Sequence, residues 1–538
     1  MKRFWGLRGS RLNIATILMV VCPAYLCYGY NQAVTGGVLT LESFVKVFPQ
    51  LDTINTTGAQ STYRENIQGL SSHSLGEYIQ SLTSLGTVMG LYTIGGVFGA
   101  LSATFLGDRL GRRRMIFFAS GVVIIGAVLM ASSYSLGQMI VARLLVGLGT
   151  GATTATVPVW QSELSKAAHR GSHVVTEGMF IGLGVALSLW IDFGFYYLGS
   201  SSVSWRCPLA LQIVFSLIVM ANIFTLPESP RWLIKQGRIE EAREIMGILD
   251  DVDPNSEVVA KEIEDIEASL ALAGSVSRRD LLKMGEQRIF HRLVLAVTVQ
   301  FFSQICGINS ITFYATTIFQ EDLRLDATKS RILGAAMETI QPIGGLTGVF
   351  TIDRFGRRPL MLVSSAAMCI CMIICAGATS NTNNQGALIV AIIFLFAFNY
   401  FYQIGFLGLT YLYSTEVAPL HVRAAVSGYA NAMTWLFNFV LVMITPVGFG
   451  TIKNRYYIIW AVTNACIVAT VYIFFPETNG RPLEEMDAIF AESENIFDPP
   501  KIAKIMPRRR LVDELAATQH TKFDVEGTTG MVENESSN

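Results

Sequence analysis

Two stretches of charge interrupt long apolar runs. Gly107 to Arg114 reads Gly-Asp-Arg-Leu-Gly-Arg-Arg-Arg, and Ile352 to Arg358 reads Ile-Asp-Arg-Phe-Gly-Arg-Arg. Arginine presents a rigid fork of N–H donors and aspartate a short acceptor, so each stretch can bind carboxylates or the bare carbonyls of a helix end. Acids at matched spacing supply partners: Glu163 stands seven residues before Arg170, and Glu416 seven before Arg423. Each half then closes on a proline–acid pair, Pro227-Glu228-Ser229-Pro230 and Pro476-Glu477-Thr478-Asn479. Three marks in the same order argue for an internal duplication of about 250 residues. A membrane protein of two like halves has a natural place for a substrate between them.

No catalytic or metal-binding constellation competes with this reading. The six histidines fall near span ends, in loops or in the tail, without ligand spacing. The eight cysteines lie within or beside apolar segments, and Cys369, Cys371 and Cys375 have no histidine or carboxylate in their run. They read as reduced packing residues. Neither an enzyme nor a cofactor nor a metal is expected.

The elements that must position the charged marks are membrane spans. The chain has 538 residues, 51% hydrophobic and 15% charged, and its mean hydropathy is +0.43. That composition belongs to a polytopic membrane protein in a lipid bilayer, and the net charge of −1 gives no nucleic-acid surface. Twelve stretches have the roughly 20 apolar residues that a span needs, near 14–38, 80–106, 114–132, 136–159, 174–198, 205–226, 291–318, 330–351, 359–379, 386–413, 425–448 and 456–475. Lys and Arg crowd the loops on the side of the termini, which places both termini in the cytoplasm. This divides the chain into a first bundle at 1–227, a cytoplasmic helical linker at 228–290, a second bundle at 291–476 and a tail at 477–538, polar and disordered towards its end. Asn55 begins a glycosylation sequon in the longest loop of the opposite face. Glycine pairs such as Gly95 and Gly99, Gly147 and Gly151, and Gly178 and Gly182 suit close helix packing.

Taken together, the charged loop and its second copy, the Glu and Arg pairs, Pro-Glu-Ser-Pro-Arg-Trp and Pro-Glu-Thr-Asn-Gly-Arg resemble the sugar porter family of the major facilitator superfamily, particularly its fungal members. The resemblance covers about residues 14 to 490. It implies an all-α membrane protein of twelve transmembrane helices in two pseudo-symmetric six-helix bundles, moving a sugar by alternating access, either as a symporter with protons as partners or as a facilitator. It also implies a cytoplasmic gate, an inter-bundle salt-bridge network of Asp108, Arg112, Glu163, Arg170, Asp353, Arg357, Glu416 and Arg423. A hexose or disaccharide is the expected solute, with a polyol transporter or a non-transporting sugar sensor as rival readings, and a monomer in the plasma membrane is the expected form.

A sugar's hydroxyls lose water on entry and need polar replacements. Gln300, Gln304 and Asn309 of the seventh span, Gln341 of the eighth, Gln403 of the tenth and Trp435 and Asn438 of the eleventh are the candidates. Gly307, between Gln304 and Asn309, should loosen its helix. Gln341 falls where the family often has a sugar-binding asparagine, and Trp435 matches an aromatic that can stack on a sugar face. Two departures concern coupling. Where proton-coupled members carry aspartate in the first span, this chain has Asn31, with the partner arginine retained as Arg143; asparagine does not titrate. Where many members have a sugar-binding glutamine, it has Gly178, preceded by Glu177. A lone carboxylate in a span is expensive, so Glu177 is expected to pair with Arg143, either as a substitute proton site or as a structural pair.

Overall fold

The computed structural model describes residues 3–39, 41–48, 51, 72–164, 170–274, 283–285, 287–322, 325–380, 384–419, 422–481 and 483–506. Asn55 and the side chain of Arg170 fall outside the described residues. The long helices are α1 (Gly9–Val38), α2 (Ser72–Leu110), α3 (Arg112–Ala131), α4 (Leu136–Leu164), α5 (Arg170–Tyr196), α6 (Val203–Thr225), α7 (Ile289–Phe313), α8 (Ala327–Phe355), α9 (Arg357–Ala378), α10 (Gln385–Val417), α11 (Arg423–Ile452) and α12 (Lys453–Phe474). Among the described residues, eleven helices are long and apolar enough to cross a membrane. The exception is α8, which has the length, at 29 residues, but spends much of its apolar character on Arg331, Glu338, Gln341 and Asp353.

These helices form two six-helix bundles, as the duplicated sequence requires. Within the first, α4 packs on α2 and α3, and α1 on α5; within the second, α9 packs on α10 and α12, and α7 on α11. The bundles meet along two seams, α2 against α11 and α5 against α8. Glycine lets the α2–α4 pair approach closely. A Cβ on Gly147 would stand 1.9 Å from the Tyr92 carbonyl oxygen, and one on Gly99 would stand 2.1 Å from that of Leu148.

The proline–acid pairs explain the marks that precede them. Gly111 and Gly356 turn the chain at φ +85° and +92°, a region that favours glycine, and so start α3 and α9 abruptly. Glu228 accepts from the backbone N–H groups of Arg112 at 3.2 Å and Arg113 at 3.3 Å. Glu477 accepts from those of Arg357 at 3.0 Å and Arg358 at 3.1 Å. Each carboxylate thereby caps the positive end of a helix that its own half must hold in place. Burial pushes the Glu228 carboxyl up from its ordinary range, and the N–H groups of Ser229, Arg113 and Arg112 pull it back. Above each pair, an indole or phenol takes the proline carbonyl: Trp160 Nε1 donates to Pro227 at 3.0 Å and Tyr413 Oη to Pro476 at 3.1 Å.

Short helices at 230–235, 239–250 and 257–274 follow the first bundle. They are amphipathic: Ala242, Ile245, Met246 and Leu249 are buried while Glu240 is exposed. Trp232 Nε1 donates to the Asp108 carbonyl at 2.9 Å and Lys235 Nζ to its carboxylate at 2.7 Å, which ties this segment to the first charged loop. Helices at 483–491 and 499–505 dock under the second bundle, with Asp487 2.6 Å from the buried Arg292.

Replacing either cap carboxylate by alanine leaves two helix-starting N–H groups without that acceptor. Glu228→Ala and Glu477→Ala should each cost about 1–2 kcal/mol and, standing in separate halves, should add in the double variant. The thermal midpoint of the purified protein in detergent reads this; a double variant no less stable than either single one would show that the caps do not act independently.

Candidate functional site

Arg112 grips Glu163 with a two-pronged bond, Nε to Oε2 at 3.0 Å and Nη2 to Oε1 at 3.1 Å, while Nη1 reaches the Gly107 carbonyl at 3.2 Å and Asp108 at 3.4 Å. Arg357 repeats the pattern on Glu416 at 3.2 and 2.9 Å, on the Ile352 carbonyl at 3.3 Å and on Asp353 at 3.3 Å. Both forks close within one bundle. The expected inter-bundle pairing of Glu163 and Glu416 is therefore corrected for this conformation: each acid takes both prongs of the arginine of its own half, whose planar fork matches a carboxylate two bonds at a time. Arg423 opens α11 and is partly buried.

Between the bundles lies a cavity. Its walls are Tyr28 and Gln32 of α1, Ile181 and Val185 of α5, Ser303, Gln304, Ile308, Asn309 and Thr312 of α7, Gln341 of α8, and Tyr402, Leu407 and Tyr411 of α10. The cavity they line is small, about 20 Å³. That is room for about one water, so the walls stand nearly closed on one another. Every polar group in the lining is a neutral amide, hydroxyl or phenol, and several satisfy each other: Gln304 Nε2 donates to Ser303 Oγ at 2.8 Å, Asn309 Nδ2 to Gln304 Oε1, and Gln32 Nε2 to Tyr28 Oη at 3.0 Å. A ligand with several hydroxyls can replace such partners one for one.

Local breaks in the helices aim these groups. At Gly307 φ is +105°, and a Cβ there would stand 2.8 Å from the Trp460 ring, so only glycine lets α7 turn between Gln304 and Asn309. In α10 a wide turn runs over Gln403–Leu407.

The predicted binding residues divide. Gln304, Asn309 and Gln341 line the cavity. Gln300, Gln403, Trp435 and Asn438 are buried outside its wall. Trp435 packs against Tyr28 at 5.4 Å and Tyr92 at 5.6 Å, backing the cavity's aromatic face from behind. Gln403 Nε2 donates to the Gly178 carbonyl at 3.0 Å, a link between the bundles. Gly178 itself lets α5 meet α10, since a Cβ there would lie 2.9 Å from the Gly408 nitrogen.

The expected Glu177–Arg143 pair does not form. Glu177 Oε2 accepts from Tyr25 Oη at 2.7 Å, and the Arg143 guanidinium lies over the Tyr92 ring, 5.2 Å from its centre. A phenol on α1 donates to one of the acid's two oxygens without bringing a cation to it. Asn31 turns inward to its own helix, donating to the Cys27 carbonyl at 3.0 Å.

Sequence reasoning missed Tyr28, Thr312 and Tyr402, because an aromatic or a hydroxyl in an apolar run reads as core, and it passed over Gln32, an amide next to Asn31. It also missed a charged contact at the end of the bundles away from the termini. Arg331 Nη1, on α8, donates to the Gly37 carbonyl of α1 at 2.7 Å and stacks on Tyr196 at 4.5 Å. Asp192 of α5, 2% exposed, lies against the same glycine, whose added Cβ would stand 2.0 Å from Oδ2. An aspartate inside the apolar run of α5 was the available signal.

Residues 16–490 match the family model described as sugar (and other) transporter. The chain is 34% identical over 514 residues to the sugar transporter STL1 of Saccharomyces cerevisiae, covering 94% of this chain and 86% of that one. It is 33% identical to the MFS-type transporter oryC of Aspergillus oryzae, covering 95% and 92%. Among solved structures, the proton:xylose symporter XylE bound to 6-bromo-6-deoxy-D-glucose superposes with a TM-score of 0.73 at 23% identity, over 90% of this chain and 100% of that one, a likeness of fold. With the duplicated forks and the cavity between two bundles, these matches show that the chain belongs to the sugar porters of the major facilitator superfamily.

Proposed function

We propose that this protein carries a neutral sugar across a membrane by alternating access, with both termini in the cytoplasm, and that it works as a monomer in the plasma membrane. The observation that carries the reading is the lining of the cavity: hydrogen-bonding groups without a formal charge, contributed by both bundles at the seam where they meet. A carrier of ions or organic acids would need a compensating charge there. The named activities of the relatives, a sugar transporter and a proton:xylose symporter, agree with a sugar as cargo.

Hydrogen bonds cross between the bundles at Arg331 to Gly37, Trp190 to Thr339 at 2.9 Å and Gln403 to Gly178. They run from the middle of the molecule to the end away from the termini. We read this arrangement as closed on the outer side, with the walls close together around the cavity; a hexose enters only after they part. The forks at Arg112 and Arg357 keep each bundle rigid as the two rock, and the candidate gate residues Arg170 and Arg423 stand at the starts of α5 and α11 on the cytoplasmic side.

Two results test this. In a transport-deficient yeast supplied with labelled glucose, galactose, xylose, lactose or glycerol, at least one sugar should enter, and Gln304→Ala should raise its KM about tenfold, the worth of one good hydrogen bond. Gln300→Ala, outside the wall, should change it less than about threefold; equal effects would detach the cavity from the binding site. Arg112→Ala or Arg357→Ala should leave delivery to the cell surface intact and slow transport several-fold, and normal kinetics in both would remove the forks from the mechanism.

A further inference from the structure

Resting on the sugar-carrier reading, we propose that Glu338 is a proton-binding site joined to the substrate cavity through Gln341, so that a proton travels with the sugar.

Glu338 is fully buried in the middle of α8. Its Oε2 accepts from Gln341 Nε2, and its Oε1 has no hydrogen-bond partner among the described residues. The other charged residues and tyrosines with described side chains on helices packed against α8 are Glu177, Asp192 and Tyr196 on α5, Tyr400, Tyr402, Tyr411, Tyr413 and Glu416 on α10, and Arg357 and Arg358 on α9, with Lys329, Arg331, Asp353 and Arg354 on α8 itself. None of them hydrogen-bonds Glu338 among the described residues. An ionised carboxylate so placed in a bilayer costs several kcal/mol, and taking a proton removes that cost.

The network fixes what the proton would do. Asn399 Nδ2 donates to the Leu395 carbonyl at 3.1 Å, an acceptor that cannot change sense, so its Oδ1 must face Gln341. Gln341 Nε2 donates to that Oδ1 at 3.0 Å and to Glu338, which consumes both of its protons. With Glu338 ionised, Gln341 therefore offers the cavity only an acceptor. When an O–H bond forms on Glu338, the carboxyl becomes a weaker acceptor and one N–H of Gln341 is released to a sugar hydroxyl. Proton and sugar then each favour the other's binding by the same factor.

Position separates Glu338 from the other buried acids. Glu177 bonds Tyr25 inside the first bundle, at a contact that travels as a unit. Asp192 stands at Gly37, near the end of α1, and does not line the cavity. Glu338 is one turn from the α5–α8 crossing, where a Cβ on Gly182 would lie 2.9 Å from Gln341 Cβ, so parting of the bundles changes its surroundings.

The test uses the full chain in proteoliposomes with an inside-alkaline gradient of one pH unit and whichever of labelled glucose, xylose or glycerol the wild type exchanges. Wild type should accumulate it up to about tenfold, the ratio that one pH unit sustains at one proton per solute, with KM falling as outside pH falls. Glu338→Gln should equilibrate without accumulating, with KM indifferent to pH; Glu338→Asp should accumulate with a displaced pH profile. Glu177→Gln and Asp192→Asn should still accumulate. Accumulation by Glu338→Gln, or a wild type that exchanges the solute and never concentrates it, overturns the proton site and leaves the carrier reading standing. If Glu338→Gln does not exchange at all, an undisplaced profile in Glu338→Asp overturns it. A wild type that exchanges none of these three, nor galactose nor lactose, overturns the carrier reading itself.

Discussion

The rigidity of each bundle depends on a carboxylate placed at the start of a helix. Glu228 and Glu477 accept the first N–H groups of α3 and α9, and Arg112 and Arg357, whose backbones they hold, close two-pronged bonds onto Glu163 and Glu416. A span cannot leave its terminal groups unsatisfied near lipid, and here one short motif satisfies the helix end and fastens it to a neighbour. Three helices are fixed at one end in each half. Rocking without deformation requires bundles fixed in this way, and a cavity between them then opens to one side or the other without being rebuilt.

The cavity's chemistry follows from the same requirement. Polar side chains are costly to leave bare in the middle of a membrane protein, and here Ser303, Gln304 and Asn309 bond one another along α7 and Gln32 bonds Tyr28 along α1, on walls that leave room for about one water. A sugar competes with these internal bonds rather than filling a waiting void, and only a ligand with several well-placed hydroxyls recovers what it displaces. The seams supply the freedom: glycines at 178 and 182 let α5 lie close to α10 and α8.

Much of this was legible in the sequence, because its signals are local. Hydropathy marks spans irrespective of partners, and α8 falls short of the others because the polar residues of the seam lower its apolar character. The turn at Gly307 follows from a glycine between two amides. The repeated Asp-Arg-x-Gly-Arg-Arg loops showed the duplication, but spacing says that an arginine has an acid to meet and not which one. Glu163 chose Arg112 in its own bundle over a partner across the gap, and Glu177 chose the Tyr25 hydroxyl over Arg143. Such choices depend on helix rotation and depth, which hydropathy does not encode. For the same reason Trp435 could be placed on the correct helix and yet stand behind Tyr28 instead of in the wall.

The central claim is that two rigid bundles rock about the cavity. It is tested most directly by spin-label distances in lipid between exposed positions at both ends, Ser201 with Asn384 at the end away from the termini and Arg114 with Arg354 at the termini end. With a transported sugar present, the account predicts two populations in which one distance lengthens as the other shortens. Distances that lengthen and shorten together, or a single population unmoved by the sugar, would contradict it.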